Sequence, residues 1–230
     1  MGRIALNLQA VKARVEQASR RTGSPVTLVA VSKAQSVQAI REAYAAGQTQ
    51  FAESYVQEAL EKMAQLTDLA IEWHFIGPVQ SNKTRALAES FAWVHSVERE
   101  KIARRLAEAR PANAPPLNVC LQVNISGEAT KHGVAPSEVE DLARAVRELP
   151  RLRLRGLMTI AEPGLPETET RRQFRALREL FDGLKKYGRT VDTLSMGMTQ
   201  DMELAIDEGS TMVRVGTAIF GAREPKQAAA

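Results

Sequence analysis

At 230 residues, 44% hydrophobic and 25% charged, the chain has the composition of a globular protein large enough for a substantial core. Its net charge of +4 is interleaved with acids, as in Arg99-Glu100-Lys101, and aromatics reach only 5%, which argues against a nucleic-acid footprint or base-stacking platform. The single cysteine, Cys120, rules out an internal disulfide; with no signal-peptide block and no run near 18 apolar residues, a soluble cytoplasmic protein without membrane attachment is expected.

In chain order, Ile4, Leu6, Leu8, Val11 and Val15 give an imperfect helical stripe, stopped by Thr22-Gly23-Ser24-Pro25. The run Thr27-Leu28-Val29-Ala30-Val31-Ser32-Lys33 then reads as a strand buried on both faces that ends in a lysine. Ser36 caps a following helix through Val37, Ile40 and Ala43 toward Gly47. A second strand is expected over 50–53 with a helix over 55–66. A third, over 71–76, breaks at Gly77-Pro78 before a helix near Asn82. The fourth strand is expected over 91–95 and its helix over 98–109. Pro111, Pro115 and Pro116 mark a loop before the fifth strand, over 117–124. Pro136-Ser137 opens a helix that ends before Pro150, and the sixth strand lies within 152–160. A long helix over 168–187, a brief strand over 193–195, a helix through Met202 and Ile206, and an eighth strand over 212–215 complete the series. The tail over 224–230 is expected to be disordered.

Eight strands, each but the last followed by a clear helix and none separated by a linker, predict an α/β architecture: a single (β/α)₈ TIM barrel over 1–223. A doubly wound sheet would also alternate, but eight units in this length favour closure. No Gly-x-Gly-x-x-Gly follows the first strand, which removes the usual dinucleotide site.

In such a barrel the functional face is built from the residues that end the strands. Here these are Lys33, Glu53-Ser54, Gly77 with Gln80-Ser81-Asn82-Lys83, His95, Asn124, Met158-Thr159, Ser195-Met196-Gly197-Met198, and Arg214 with Gly216-Thr217. Lys33 alone reads as a strand-end lysine that reaches solvent; partly desolvated, it is an amine able to attack a carbonyl. The small and hydroxyl residues of the last two loops stand at the recurrent phosphate site of these barrels. Arg214, within an apolar strand, needs an acceptor, either a structural carboxylate or a ligand atom. A strand-end lysine, an arginine across the barrel and a phosphate cradle describe a pyridoxal phosphate pocket with Lys33 as Schiff-base amine. His74, His95 and His132 are scattered and lack metal-ligand spacing, so no metal is expected, and no Gly-x-Ser-x-Gly elbow supports a serine triad.

The chain resembles the pyridoxal 5′-phosphate homeostasis proteins, which share the fold of the alanine racemase amino-terminal barrel. The resemblance is carried by Val29-Ala30-Val31-Ser32-Lys33, Phe51-Ala52-Glu53-Ser54-Tyr55-Val56-Gln57-Glu58 and, most specifically, Trp73-His74-Phe75-Ile76-Gly77-Pro78-Val79-Gln80-Ser81-Asn82-Lys83. Val123-Asn124-Ile125-Ser126-Gly127-Glu128 with Lys131 and Gly133, Arg155-Gly156-Leu157-Met158, Leu194-Ser195-Met196-Gly197-Met198 and Arg214-Val215-Gly216-Thr217-Ala218-Ile219-Phe220-Gly221 continue it along nearly the whole chain. It implies that the cofactor is held as a Schiff base on Lys33. It also implies that Ser195-Met196-Gly197 and Gly216-Thr217 hold the phosphate and that Arg214 faces the pyridine nitrogen. Ser54, Ile76 and Asn82 complete the cofactor-binding set. The implied role is storage, buffering or delivery of pyridoxal phosphate by a monomer, without catalytic residues, to apo forms of pyridoxal-dependent enzymes. Ala52 and Ser54 stand where the family has glycine and asparagine, so position 54 offers one hydroxyl in place of an amide. Alanine racemase adds a second domain and a catalytic tyrosine from its partner subunit, for which 230 residues leave no room. The alternative readings are a small pyridoxal-dependent racemase or decarboxylase, and a sugar-phosphate barrel enzyme using Lys33 as an aldolase-type nucleophile.

Overall fold

The short aliphatic and β-branched runs become eight parallel strands: β1 (Thr27–Val31), β2 (Gln50–Glu53), β3 (Glu72–Phe75), β4 (Trp93–Val97), β5 (Leu117–Gln122), β6 (Leu152–Met158), β7 (Thr193–Ser195) and β8 (Met212–Val215). In this computed structural model, which describes residues 2–127 and 132–222, the strands pair in sequence order and β8 pairs with β1 to close the barrel. This is the expected (β/α)₈ architecture, with helices joining successive strands outside the sheet: α2 (Val37–Ala45), α3 (Val56–Gln65), α4 (Thr84–Ser90), α5 (Glu100–Ala109), α6 (Val139–Arg147), α7 (Glu167–Leu184) and α8 (Met202–Asp207). Before β1, α1 (Arg3–Thr22) buries Ile4, Leu8, Val11, Val15 and Ala18 along one face, and it ends at Gly23 in the left-handed conformation (φ 69°).

Three expectations need correction. The last strand is followed by one helical turn, α9 (Thr217–Phe220), which buries Ile219 and Phe220. The fourth strand starts and ends two residues later than expected, because Phe91 still closes α4 through its N–H to Leu87; His95 is therefore the middle residue of β4. Arg214 and Lys33 are not across the barrel from one another, since β8 pairs directly with β1 and sets Arg214 opposite Val29. The tail over 224–230, and Glu128 and Lys131 of the matched motifs, lie outside the described residues.

Period-2 alternation sorts each strand's side chains between lumen and helix layer. Val29, Ala52, Trp93, Cys120, Met158 and Met212 form an inner cluster, with Val31 and Ile76 packed on it. Cys120 is thus a buried packing residue, and burial pushes its thiol up to about 12. The register slips where Val119 pairs with Leu154 and Cys120 with Gly156, leaving Arg155 as the extra residue of a β6 bulge. Arg155 turns into the lower lumen, its guanidinium carbon 4.4 Å from the Trp93 ring centre and its nitrogens on Asn118 and Asp192. The next residue must be glycine: at φ 149° a Cβ on Gly156 would stand 1.9 Å from the Thr193 carbonyl oxygen. Among the described residues, no helix is long and apolar enough to cross a membrane.

Candidate functional site

Lys33 lies in the turn between β1 and α2, half-buried, and both neighbours are pinned. Ser32 is buried and donates its hydroxyl to Glu53 Oε1 at 2.7 Å, while the Lys62 ammonium donates to the Ser32 carbonyl at 2.8 Å. On the other side Ala34 takes the left-handed conformation (φ 58°), uncommon for a residue with a Cβ, and its N–H donates to Glu58 Oε1 at 2.6 Å. The same ammonium bonds Glu53 at 2.8 Å and Glu58 at 2.7 Å, so one buried lysine ties both carboxylates together. Burial pushes the Glu53 carboxyl above its ordinary range against the pull of Lys62 and Ser32. Its Oε2 is buried without a hydrogen-bond partner. Two residues beyond Ala34, Ser36 caps α2 by accepting the Ala39 N–H at 3.1 Å.

On the adjacent strand, Arg214 is buried between the lumen cluster and the mouth. Nη1 donates to Ser195 Oγ at 2.7 Å and Nη2 to the Thr159 carbonyl at 2.9 Å. No carboxylate among the described residues pairs with it, so burial lowers this guanidinium to about 10. The structural-carboxylate reading of Arg214 therefore has no partner to stand on. Below it runs a chain that the sequence reading missed. His95 Nδ1 lies 3.0 Å from Ser195 Oγ, His95 Nε2 lies 2.9 Å from His74 Nδ1, and His74 Nε2 lies 3.1 Å from Glu72 Oε1. Both imidazoles are fully buried, and Trp93 stacks on His74 at 5.3 Å and 9°. The signal was present in the alternation: His74 alternates with Trp73 and Phe75 on β3, and His95 shares the lumen side of β4 with Trp93. As three scattered histidines they carry no such meaning.

The remaining residues assemble around the same rim. Gly216 packs where a Cβ would sit 3.1 Å from the Val31 carbonyl oxygen, so the start of α9 lies against the end of β1. Thr217 there is exposed, while Met196 and Gly197 after β7 are buried and the Gly197 carbonyl accepts the Arg214 N–H at 3.0 Å. Ser54 and Ile76 directly follow β2 and β3, half-buried, and the Ile76 N–H donates to the Glu53 carbonyl at 2.9 Å. Asn82 is exposed on a 3₁₀ turn over Ser81–Lys83. The fold thus gathers Lys33, Ser195, Met196, Gly197, Arg214, Gly216 and Thr217 at the junction of β7, β8 and β1. Ser54, Ile76 and Asn82 occupy the neighbouring arc. Tyr55, Ile160 and Met198 add exposed apolar side chains after β2, β6 and β7.

Residues 6–224 match the model of the alanine racemase N-terminal domain. The chain is 56% identical over 227 residues to the pyridoxal phosphate homeostasis protein of Pseudomonas aeruginosa, covering 97% of each, and 53% identical to that of Escherichia coli, covering 97% and 98%. Among solved structures it is similar to PipY of Synechococcus elongatus with PLP bound, at 38% identity and TM-score 0.83, covering 95% of this chain and all of that one. Alanine racemase of Corynebacterium glutamicum, at 20% identity and TM-score 0.71, shares the fold over 98% of this chain and 62% of its own.

Proposed function

The chain belongs to the alanine racemase N-terminal domain family, and from that premise we propose that it binds pyridoxal 5′-phosphate at the barrel mouth and maintains its supply by storing, buffering or delivering it. The observation that carries this reading is Arg214: a buried guanidinium that pairs with no carboxylate among the described residues, held instead by Ser195 Oγ and the Thr159 carbonyl, one strand from the Lys33 turn. The residues present fit the cofactor. Lys33 is the amine that holds it, and Arg214 directs an N–H to the pyridine nitrogen. The loops over 195–197 and 216–217 flank the phosphate, while Ser54, Ile76 and Asn82 line the remaining arc. When bound, the cofactor supplies an electron-accepting ring. An arginine at its nitrogen leaves that ring unprotonated and a weaker electron sink. The names of the relatives and the PLP-bound PipY support the same assignment. We further propose that the protein acts as a monomer in the cytoplasm and hands the cofactor to apo-enzymes.

The test is direct. Purified protein is mixed with pyridoxal 5′-phosphate, its absorbance near the visible edge is recorded, and borohydride reduction is followed by peptide mapping. The label is expected on the Lys33 peptide, and Lys33→Ala should keep the far-UV circular dichroism of the parent while losing the band. A label elsewhere, or an unchanged band in the variant, would refute the assignment. Transfer from the loaded protein to an apo-enzyme then measures delivery.

A further inference from the structure

A barrel lumen can be filled by aliphatic side chains, yet here a line of polar groups climbs it from Glu72, half-exposed at the lower rim, to Arg214 below the mouth. The proton inventory of that line has one solution. A neutral imidazole carries one N–H and one lone pair, and a carboxylate only accepts. Glu72, which also accepts from Gln50 Nε2 at 3.1 Å, is held below the usual carboxylate range, chiefly by the His74 hydrogen bond. Burial holds both imidazoles below their ordinary range, His95 the further, with the charge of Arg214 adding to the effect on His95. The other titratable groups facing the line leave this unchanged: Arg155 from β6 is cationic, and Cys120 from β5 stays a thiol. His74 must therefore present its Nε2–H to Glu72 and a bare Nδ1 to His95. His95 then donates from Nε2, and its own bare Nδ1 can only accept the Ser195 hydroxyl proton. Toward Arg214, Ser195 is left as an acceptor.

We propose that Glu72, His74, His95 and Ser195 form a one-way hydrogen-bond chain that positions the Arg214 guanidinium and withdraws the Ser195 hydroxyl from phosphate binding. This rests on the reading that the mouth binds pyridoxal phosphate. A phosphate dianion offers acceptors only, so its site needs donors, and the single Ser195 proton is committed downward. Ser195 is then a positioning residue for Arg214, and its segment serves the phosphate only through other atoms. The reverse chain would aim a lone pair of His74 at an ionised carboxylate.

Two measurements decide it. In the unmodified protein without cofactor, the ¹⁵N shifts and proton couplings of the imidazoles report the tautomers. His132 is exposed to solvent, which separates its signals from those of the buried pair. Nε2–H on both His74 and His95 is expected, and Nδ1–H on His95 overturns the chain. Second, Ser195→Ala is titrated with pyridoxal 5′-phosphate and with pyridoxal. A positioning role weakens both ligands by the same factor, about tenfold for one lost hydrogen bond to a charged group, and alters the absorbance of the bound cofactor. A loss confined to the phosphorylated ligand would return Ser195 to the phosphate site and overturn the proposal. His95→Gln should reproduce the Ser195→Ala spectrum, because its amide cannot restore the imidazole's acceptor geometry; a parental spectrum in that variant also counts against it. Failure of the parent protein to take up either ligand would refute the binding reading itself, while the tautomers would still decide the direction of the chain.

Discussion

At the scale of single residues, two side chains concentrate the consequences. The Arg214 fork spans Ser195 Oγ and the Thr159 carbonyl, acceptors that a compact ammonium cannot reach together. Arg214→Lys should therefore retain the charge and the fold but weaken pyridoxal phosphate binding about tenfold, read by absorbance titration. An unaltered affinity would mean that the guanidinium geometry does not matter to the ligand. His74 and His95 make stability depend on pH. Their folded values are depressed by burial, so the unfolded chain takes up protons below about pH 6.5 that the folded chain refuses. Their contribution is fully present above that pH and is lost as pH falls below it, by up to about 1.4 kcal/mol per pH unit for each imidazole. Urea midpoints at pH 7.5 and 5.5 should drop accordingly in the parent, and His95→Gln should show a shallower slope. Equal midpoints in the parent would contradict neutral, buried imidazoles.

At the scale of elements, the turn that carries Lys33 is held by its neighbours more than by its own sequence. Lys62 on α3 joins Glu53 at the end of β2 and Glu58 on the first turn of α3 to the Ser32 carbonyl, and Glu58 in turn holds Ala34 in its left-handed conformation. Removing the ammonium leaves Glu53 a buried carboxylate whose second oxygen already lacks a partner. Lys62→Met should cost about 3–5 kcal/mol in chemical denaturation, the range for breaking one side of a buried ion pair. Adding Glu53→Gln should recover part of the loss, because the uncompensated charge is gone. If the single variant unfolds at the parental midpoint, the cluster is not structural and its bearing on Lys33 falls with it.

For the whole molecule, the open question is turnover. An amino-acid substrate loses its α-proton quickly only where a strong electron sink and a placed acid or base act together. Arg214 offers the ring a hydrogen bond but does not give up its proton, since even lowered to about 10 by burial it stays charged at neutral pH. The loaded protein is thus expected to racemise alanine no more than marginally faster than free pyridoxal phosphate at equal concentration, measured by chiral chromatography. Rates of about 1–10³ s⁻¹, ordinary for enzymes, would favour the racemase alternative instead.

Sequence alone determined the element order, since eight short apolar runs alternating with helical stripes leave little besides a closed barrel. It also pointed to residues at or just past the strand ends from Lys33 to Thr217, His95 excepted, because chemistry in this fold collects where parallel strands stop. The motifs from Val29 to Gly221 named the family for the same chain. What it left open were relations that depend on closure. Arg214 stands on the strand beside Lys33 because β8 pairs with β1, a neighbourhood that linear distance conceals. His95 became a lumen residue when β4 ran on to Val97. The chain from Glu72 to Ser195 joins β3, β4 and β7, and the Lys62 cluster joins β1, β2 and α3. Their partners lie up to 100 residues apart, as His95 and Ser195 do. Local propensity sees one residue and its near neighbours. Whether a buried polar side chain has a partner is decided only when the barrel closes and the strands bring it one.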